Sequence, residues 1–284
     1  MNLPEGLSQY LSKCGWGSVV AVEPLGGGHI NAVYLLQTEY GPPSLLKTNS
    51  KGPKDMFTRE SEGLYALAVA GGLRVPEVYK VGDDWLLMEY IPHSSPASNY
   101  WSDLGEGLAQ IHLTMGERFG FAEDNFIGST VQINSWTEDG HDFFAEHRLR
   151  FQGRLALDKG LLYKEDYNLL NRVACRLNDL IPSQSASLIH GDLWLGNLIS
   201  GPGGVPAIVD PATHFGWAEA ELAMTSLFGQ FDAEAYIAYE GVRPLAPGYH
   251  DRIDIYNLYH LLNHLNIFGK TYLSQVQSIL RQYG

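Results

Sequence analysis

Cysteine is scarce in this chain: only Cys14 and Cys175 occur among 284 residues, far apart and beside no metal-ligand motif. That excludes a disulfide framework and a structural zinc module, and reduced thiols in a cytoplasmic setting are the expectation. Long apolar runs are also missing, since no segment approaches the ~18 uninterrupted apolar residues of a membrane span. The start, Met1-Asn2-Leu3-Pro4-Glu5, has no basic region followed by an apolar run, so no signal peptide is expected. Positive charge is in short supply, with 19 Lys and Arg against 32 Asp and Glu and a net charge of −13. This argues against partners that are nucleic acid or anionic membrane. Neither an internal repeat nor a low-complexity segment is visible. What remains is 45% apolar and 12% aromatic, enough to bury a sizeable core in one bilobal unit or two small domains.

The densest chemistry lies in His190-Gly191-Asp192-Leu193-Trp194-Leu195-Gly196-Asn197 and in Ile208-Val209-Asp210-Pro211-Ala212. Between them, Leu198-Ile199-Ser200, the turn Gly201-Pro202-Gly203-Gly204 and Val205 to Val209 read as a tight hairpin. Folding it back brings Asp210 beside Asn197, with Asp192 across a cleft. Phosphoryl transfer in kinase-like enzymes uses such a set: one carboxylate to orient a hydroxyl and accept its proton, plus an amide oxygen and a carboxylate to hold Mg²⁺. A lone His-Gly-Asp is most simply a turn; its spacing from the Asp hairpin is what carries the signature.

A kinase-like chain also needs an upstream lobe that clamps ATP. Gly26, Gly27 and Gly28 separate two alternating segments, Val19 to Val22 and Val33 to Leu36, so backbone N–H groups there can approach phosphates. Lys47 ends the short apolar strand Ser44-Leu45-Leu46. Glu60 follows on a helix expected over 55–70. A strand Lys paired with a helix Glu orients the α- and β-phosphates. Glu62 competes, but lies about 200° round the helix from Glu60. Val78 to Val81 and Trp85 to Ile91 read as two more strands. The second ends in Met88-Glu89-Tyr90-Ile91 before Pro92, the place of a hinge whose backbone pairs with adenine.

The order of these parts predicts an α+β, bilobal protein-kinase-like fold: a small β-rich lobe over 1–91 and a larger, mainly helical lobe over 92–284. A first helix is expected near Leu3 to Cys14, and 92–99 has linker composition. Further helices are expected at about Ser102–Thr114, Trp136–Lys159, Lys164–Leu180, Ala218–Phe228, Asp232–Tyr239 and His250–Phe268.

Beyond these shared parts, the chain resembles the fructosamine kinase (ketosamine-3-kinase) family. The resemblance rests on the loop at 190–197, on Asp210-Pro211-Ala212, on Glu219-Ala220-Glu221-Leu222-Ala223-Met224 and on Leu227-Phe228-Gly229-Gln230-Phe231. It rests also on a middle block: Phe119-Gly120-Phe121, Asn125-Phe126-Ile127-Gly128, Gln132, Asn134, Trp136 and Arg148-Leu149. It spans nearly the whole chain and implies ATP- and Mg²⁺-dependent phosphorylation of the 3-hydroxyl of a ketosamine, free or on a protein lysine. Asp192 is then the base, Asn197 and Asp210 the metal ligands, and Lys47 with Glu60 the phosphate clamp. On the acceptor side, Trp194 either offers a flat face to a sugar or plugs its loop. His190 either meets the acceptor or braces the catalytic loop. Arg148 either contacts the acceptor or forms a salt bridge within a helical hairpin. A kinase for an aminoglycoside, amino alcohol or free sugar, and a nucleotide-binding pseudokinase, are the alternatives.

The chain departs from the family pattern at three places. Phe215-Gly216-Trp217-Ala218-Glu219 stands where the family commonly has aromatic-Gly-His-Arg-Glu, Glu221 stands where Asp is usual, and Gly140-His141 replaces an aromatic residue.

Overall fold

The structure is a computed structural model that describes residues 3–26 and 30–284. Gly27 and Gly28, read above as phosphate-facing, lie outside the described residues. The first lobe is built on one antiparallel sheet of strands β1 (Val19–Leu25), β2 (Ala32–Thr38), β3 (Ser44–Thr48), β4 (Val78–Val81) and β5 (Trp85–Glu89), in the order β1-β2-β3-β5-β4. Helix α1 (Leu7–Lys13) buries Leu7 and Leu11 against Leu36, Leu46, Trp85 and Leu87 of that sheet. It starts later than expected because Pro4-Glu5 precede Gly6, which holds a left-handed φ of 79°. Helix α2 (Met56–Leu67) places Phe57 and Leu64 on Leu86 and Met88. Burying that stripe leaves the side of α2 that carries Glu60 facing Lys47.

The second lobe carries helices α3 (Tyr100–His112), α4 (Gly140–Phe143), α5 (Phe151–Asp158), α6 (Lys164–Cys175), α7 (Leu177–Leu180), α8 (Ala218–Met224), α9 (Ala233–Val242), α10 (Tyr249–Phe268) and α11 (Leu273–Tyr283). The single helix expected over 136–159 starts instead at α4, where the Asp139 side chain caps the amides of His141 and Asp142. A π-helical stretch, Phe144–Arg150, then joins α4 to α5. The expected 164–180 helix divides at Arg176, whose ψ of 7° leaves the helical path. Helix α8 stops at Met224, earlier than expected. Helix α11 was not anticipated; it buries Val276, Ile279 and Leu280 in the main core of this lobe.

Short strands fix the loops: β6 (Asn125–Ile127) with β7 (Thr130–Gln132), β8 (Ser187–Ile189) with β11 (His214–Gly216), and β9 (Leu198–Ser200) with β10 (Pro206–Ile208). The β9–β10 pair is the Asp hairpin, in register Ser200 with Pro206 and Ile208 with Leu198. Antiparallel pairing of β8 with β11 brings the chain leaving Ile189 beside the chain arriving at His214. The two loops thus meet by necessity of topology, and the Ala212 amide donates to the His190 carbonyl at 2.8 Å. The linker after β5 is tied to the hairpin: Ser94 N–H donates to Ser200 O at 2.8 Å, and Gly204 N–H to Ser94 Oγ at 3.1 Å.

Candidate active site

A cleft of about 230 Å³ opens between the lobes, lined by Lys47, Arg59 and Glu60 on one side and Asp192, Trp194, Asn197 and Asp210 on the other. Lys47 leaves β3 with a buried stem, and its ammonium is shared by Glu60, at 2.5 Å, and by Asp210. Burial works against its charge, but Asp210 and Glu60 together hold its pKa above the ordinary lysine value. Burial also pushes the Glu60 carboxyl upward, and Lys47 opposes that push. Glu62, the competing carboxylate, points elsewhere and takes Arg59 at 2.8 Å.

The loop that carries Asp192 is held by its backbone. Gly191 adopts φ 85°, and a Cβ there would stand 2.1 Å from the Ala212 carbonyl oxygen, so only glycine allows the two loops to touch. His190 is fully buried. Its Nε2 donates to Val209 O at 2.9 Å, which leaves Nδ1 to accept the Asp192 amide at 3.3 Å. His190 is therefore a brace and not an acceptor contact, because no part of it reaches the cleft. Asn197 donates Nδ2 to the Asp192 carbonyl at 2.8 Å, while Val209 N–H donates to Asn197 O at 3.1 Å. Burial raises the Asp192 carboxyl to about 7, Asp210 raising it further and Asn197 opposing.

Asp210 is about half exposed and, at φ 59°, is the one non-glycine residue with positive φ among those described. Backbone held there is strained and persists where its surroundings over-determine it. The surroundings come from the middle block of the sequence. Gln132 donates to the Ala212 carbonyl at 2.9 Å and to Asn125 Oδ1 at 2.7 Å, and Asn125 donates to the Thr213 carbonyl at 2.8 Å. Tyr259 donates to Gln132 Oε1 at 2.7 Å. Arg148 completes this net through Asn134 Oδ1 at 2.8 Å and Ile133 O at 2.6 Å, with its guanidinium 4.4 Å from the centre of the Phe143 ring. Arg148 is thus buried behind the Asp210 loop. It meets neither the cleft nor a carboxylate, so both readings of it from sequence are corrected.

Trp194 is half-buried, folds over Gly196 and meets Phe228 edge-on at 6.1 Å between centroids. It plugs its loop and lines the cleft at once. Next to it, His264 lies 4.3 Å from Phe228, and Asn263, His264, Ile267 and Phe268 of α10 complete the wall. These residues were missed, although their i, i+3 and i+4 spacing on one helix was the signal available. At the hinge, Met88 and Ile91 are buried side chains, and Glu89 is engaged by Arg74 and by the Glu77 amide at 3.3 Å. None of Met88 to Ile91 is among the residues that line the cleft described above. Gly26 follows β1 and is open, with nothing within 4 Å of a Cβ placed on it.

Two departures from the family pattern belong together. Trp217 is buried among Phe119, His141, Phe144 and Tyr256, and a Cβ at Gly140 would stand 2.6 Å from its Nε1. The small residue makes room for the large one.

The fructosamine kinase family profile matches residues 9–283. The chain belongs to the fructosamine kinase family. A Synechocystis protein named as a ketoamine kinase is 39% identical over 263 residues, covering 91% of this chain and 88% of its own. The chloroplastic protein-ribulosamine 3-kinase of Arabidopsis thaliana is 36% identical, with 99% of this chain and 85% of that protein covered. Among solved structures, one from Thermobifida fusca assigned as a fructosamine-3-kinase superposes with a TM-score of 0.90 at 31% identity, covering 98% of both chains. The choline kinase LicA from Streptococcus pneumoniae, at 19% identity and a TM-score of 0.64 with 98% of both chains covered, shares the protein-kinase-like fold.

Magnesium fits the donor set. Asn197 spends its NH₂ on the Asp192 loop, which turns its oxygen into the available group, and Asp210 adds a half-exposed carboxylate. No group of three or more His, Cys, Asp or Glu placed to hold a metal occurs among the described residues. A cation held by two oxygen donors and completed by phosphates is the arrangement Mg²⁺ favours.

Proposed function

We propose that the chain is an ATP-dependent kinase that phosphorylates the 3-hydroxyl of a ribulosamine or fructosamine, a deglycation-repair reaction. The observation that carries this reading is the convergence of Lys47–Glu60, Asp192, Asn197 and Asp210 on one cleft in a chain of this family. Lys47, steadied by Glu60, positions the α- and β-phosphates, with the open backbone at Gly26 beside them. The backbone of Met88 to Ile91 takes the adenine edge. Asn197 and Asp210 would hold Mg²⁺, which when bound offsets negative charge on the phosphates. Asp192 accepts a hydrogen bond from the acceptor hydroxyl, orients its oxygen toward the γ-phosphorus and takes the proton as the new O–P bond forms and the bond from the γ-phosphorus to the bridging oxygen breaks, releasing ADP. Trp194 and His264, which line the cleft, present aromatic faces to the sugar. Positioning and electrostatics of this kind supply most of the catalysis in phosphoryl transfer. The names of the relatives support the ketosamine as acceptor.

ATP consumption with Mg²⁺ against ribuloselysine, fructoselysine and an aminoglycoside tests the reading. Turnover of either ketosamine supports it and ranks the sugars. Turnover of the aminoglycoside alone overturns the acceptor and keeps the kinase chemistry.

A further inference from the structure

Behind the catalytic loop runs a buried chain of hydrogen bonds that the reaction does not itself require. Glu221 of α8 accepts from two successive loop amides, His190 at 2.9 Å and Gly191 at 2.6 Å, one on each carboxylate oxygen. Its Oε2 also meets His112 Nε2, on α3, at 2.9 Å, and His112 Nδ1 meets the Tyr239 hydroxyl, on α9, at 2.8 Å. Arg243 donates to that hydroxyl at 3.2 Å and to Ser187 Oγ, on the strand that leads into the loop, at 3.3 Å. Glu221, His112 and Tyr239 are all essentially excluded from water.

The direction of every hydrogen in this chain follows from its ends. An ionised carboxylate only accepts, so His112 Nε2 carries the hydrogen. A neutral imidazole then has Nδ1 as acceptor, so the Tyr239 hydroxyl donates to it. The tyrosine oxygen is left to accept from Arg243. Burial lowers the His112 pKa, against the pull of Glu221 and with help from Arg243, which agrees with the neutral ring. Burial works against the charge of Glu221, but His112 and His190 hold its pKa below the ordinary carboxylate value. The donors therefore run from Arg243 through Tyr239 and His112 into Glu221, and the loop amides meet them from the other side. Nothing in this arrangement is free to turn. The glutamate spans the gap between α3 and the loop.

We infer that His112 and Tyr239 are positioning residues for the catalytic loop: through Glu221 they fix the His190 and Gly191 amides and hence the direction of the Asp192 carboxylate. The inference rests on Asp192 being the base. Neither residue lines the nucleotide cleft, so removing them acts on the loop and not on ATP binding.

His112→Phe keeps a ring of similar size and deletes both hydrogen bonds, whereas His112→Gln retains an N–H that can reach Glu221. The expected result is a 10- to 100-fold loss of kcat in the Phe variant, roughly the effect of misplacing a reacting group by an ångström. KM for ATP should stay within about twofold, and the Gln variant should recover most of the loss. Amide hydrogen exchange in peptides covering 187–197 should quicken about tenfold or more in the Phe variant and return toward wild type in the Gln variant, with the β1–β5 sheet unchanged. Tyr239→Phe, which leaves His112 in place, should show the same pattern more weakly and serves if the first variant does not fold. Exchange in 187–197 equal to wild type, a rise in KM that matches the fall in kcat, or equal losses for Phe and Gln would each overturn the inference. Wild-type turnover on the same acceptor is read alongside: a silent wild type indicts the assigned reaction, while the exchange data still decide the role of His112.

Discussion

Gln132→Leu puts the clamp on the Asp210 loop to the test. The side chain is 1% exposed and makes three hydrogen bonds, to Ala212 O, Asn125 Oδ1 and Tyr259 Oη. Leucine has a similar volume, so little packing is lost. The Tyr259 hydroxyl is left in the interior without this partner, while the Ala212 carbonyl loses Gln132 but keeps His214 Nδ1 at 3.0 Å. Leaving one buried polar group unsatisfied costs about 1–3 kcal/mol. For a chain of this size each kcal/mol lowers Tm by about 2–4 °C, so a fall of at least ~2 °C is expected. The same variant loosens the loop that sets Asp210 at positive φ, so KM for Mg-ATP should rise while the Asp192 loop remains held by Glu221. Adding Tyr259→Phe to Gln132→Leu should cost less than the sum of the two single changes, because the phenol then has nothing left to satisfy. Differential scanning fluorimetry and ATP saturation curves make both measurements. A Tm within 1 °C of wild type with an unchanged KM would refute the clamp.

Other expectations follow from single observations. Glu60→Gln removes one of the two carboxylates on the Lys47 ammonium, and should lower kcat/KM for ATP about 10- to 100-fold, some 1.4–2.7 kcal/mol of transition-state stabilisation; an unchanged value would remove Glu60 from the phosphate clamp. Acid should destabilise the fold through its buried histidines. Burial takes His260 down to about 3, so between pH 6.5 and 3 the unfolded chain binds a proton that the folded chain does not, and stability falls as pH falls. At pH 5 this amounts to roughly 2 kcal/mol for His260 alone, and His112, His190 and His214 act in the same direction. Asp192 opposes them. Its raised pKa makes the folded chain the stronger proton binder from about pH 4 to 7, which favours the fold as pH drops. Asp192→Asn should therefore lose Tm more steeply than wild type between pH 7 and 5, and parallel Tm profiles would contradict the opposing signs.

The parts of the site that the sequence made legible are those whose chemistry is local. Lys47 and Glu60 were separable from Glu62 because strand and helix periodicities place side chains on definite faces. Asp192, Asn197 and Asp210 were brought together by one hairpin whose turn residues announce it. The Asn125–Gln132–Arg148–Tyr259 net was not legible as a clamp, since its bonds to residues 212 and 259 cross 80 and 127 positions and no periodicity records such contacts. Arg148 was misplaced for the same reason, while for His190 the structure selects the brace from the two readings. A lone cation or imidazole in a sequence does not reveal whether backbone carbonyls await it in the interior. Helix α11 was hidden by the polar residues that separate Val276 from Ile279 and Leu280, a short stripe without a strong cap.

The most direct test is phosphorylation of ribuloselysine followed by the mass of the product, with wild type and Asp192→Ala measured side by side with ATP and Mg²⁺. The account predicts one added phosphoryl group on the sugar with wild type, and turnover reduced by several orders of magnitude in the variant while nucleotide affinity stays within a few fold. Turnover by Asp192→Ala equal to that of wild type would contradict the assignment of this carboxylate as the base, and with it the central claim.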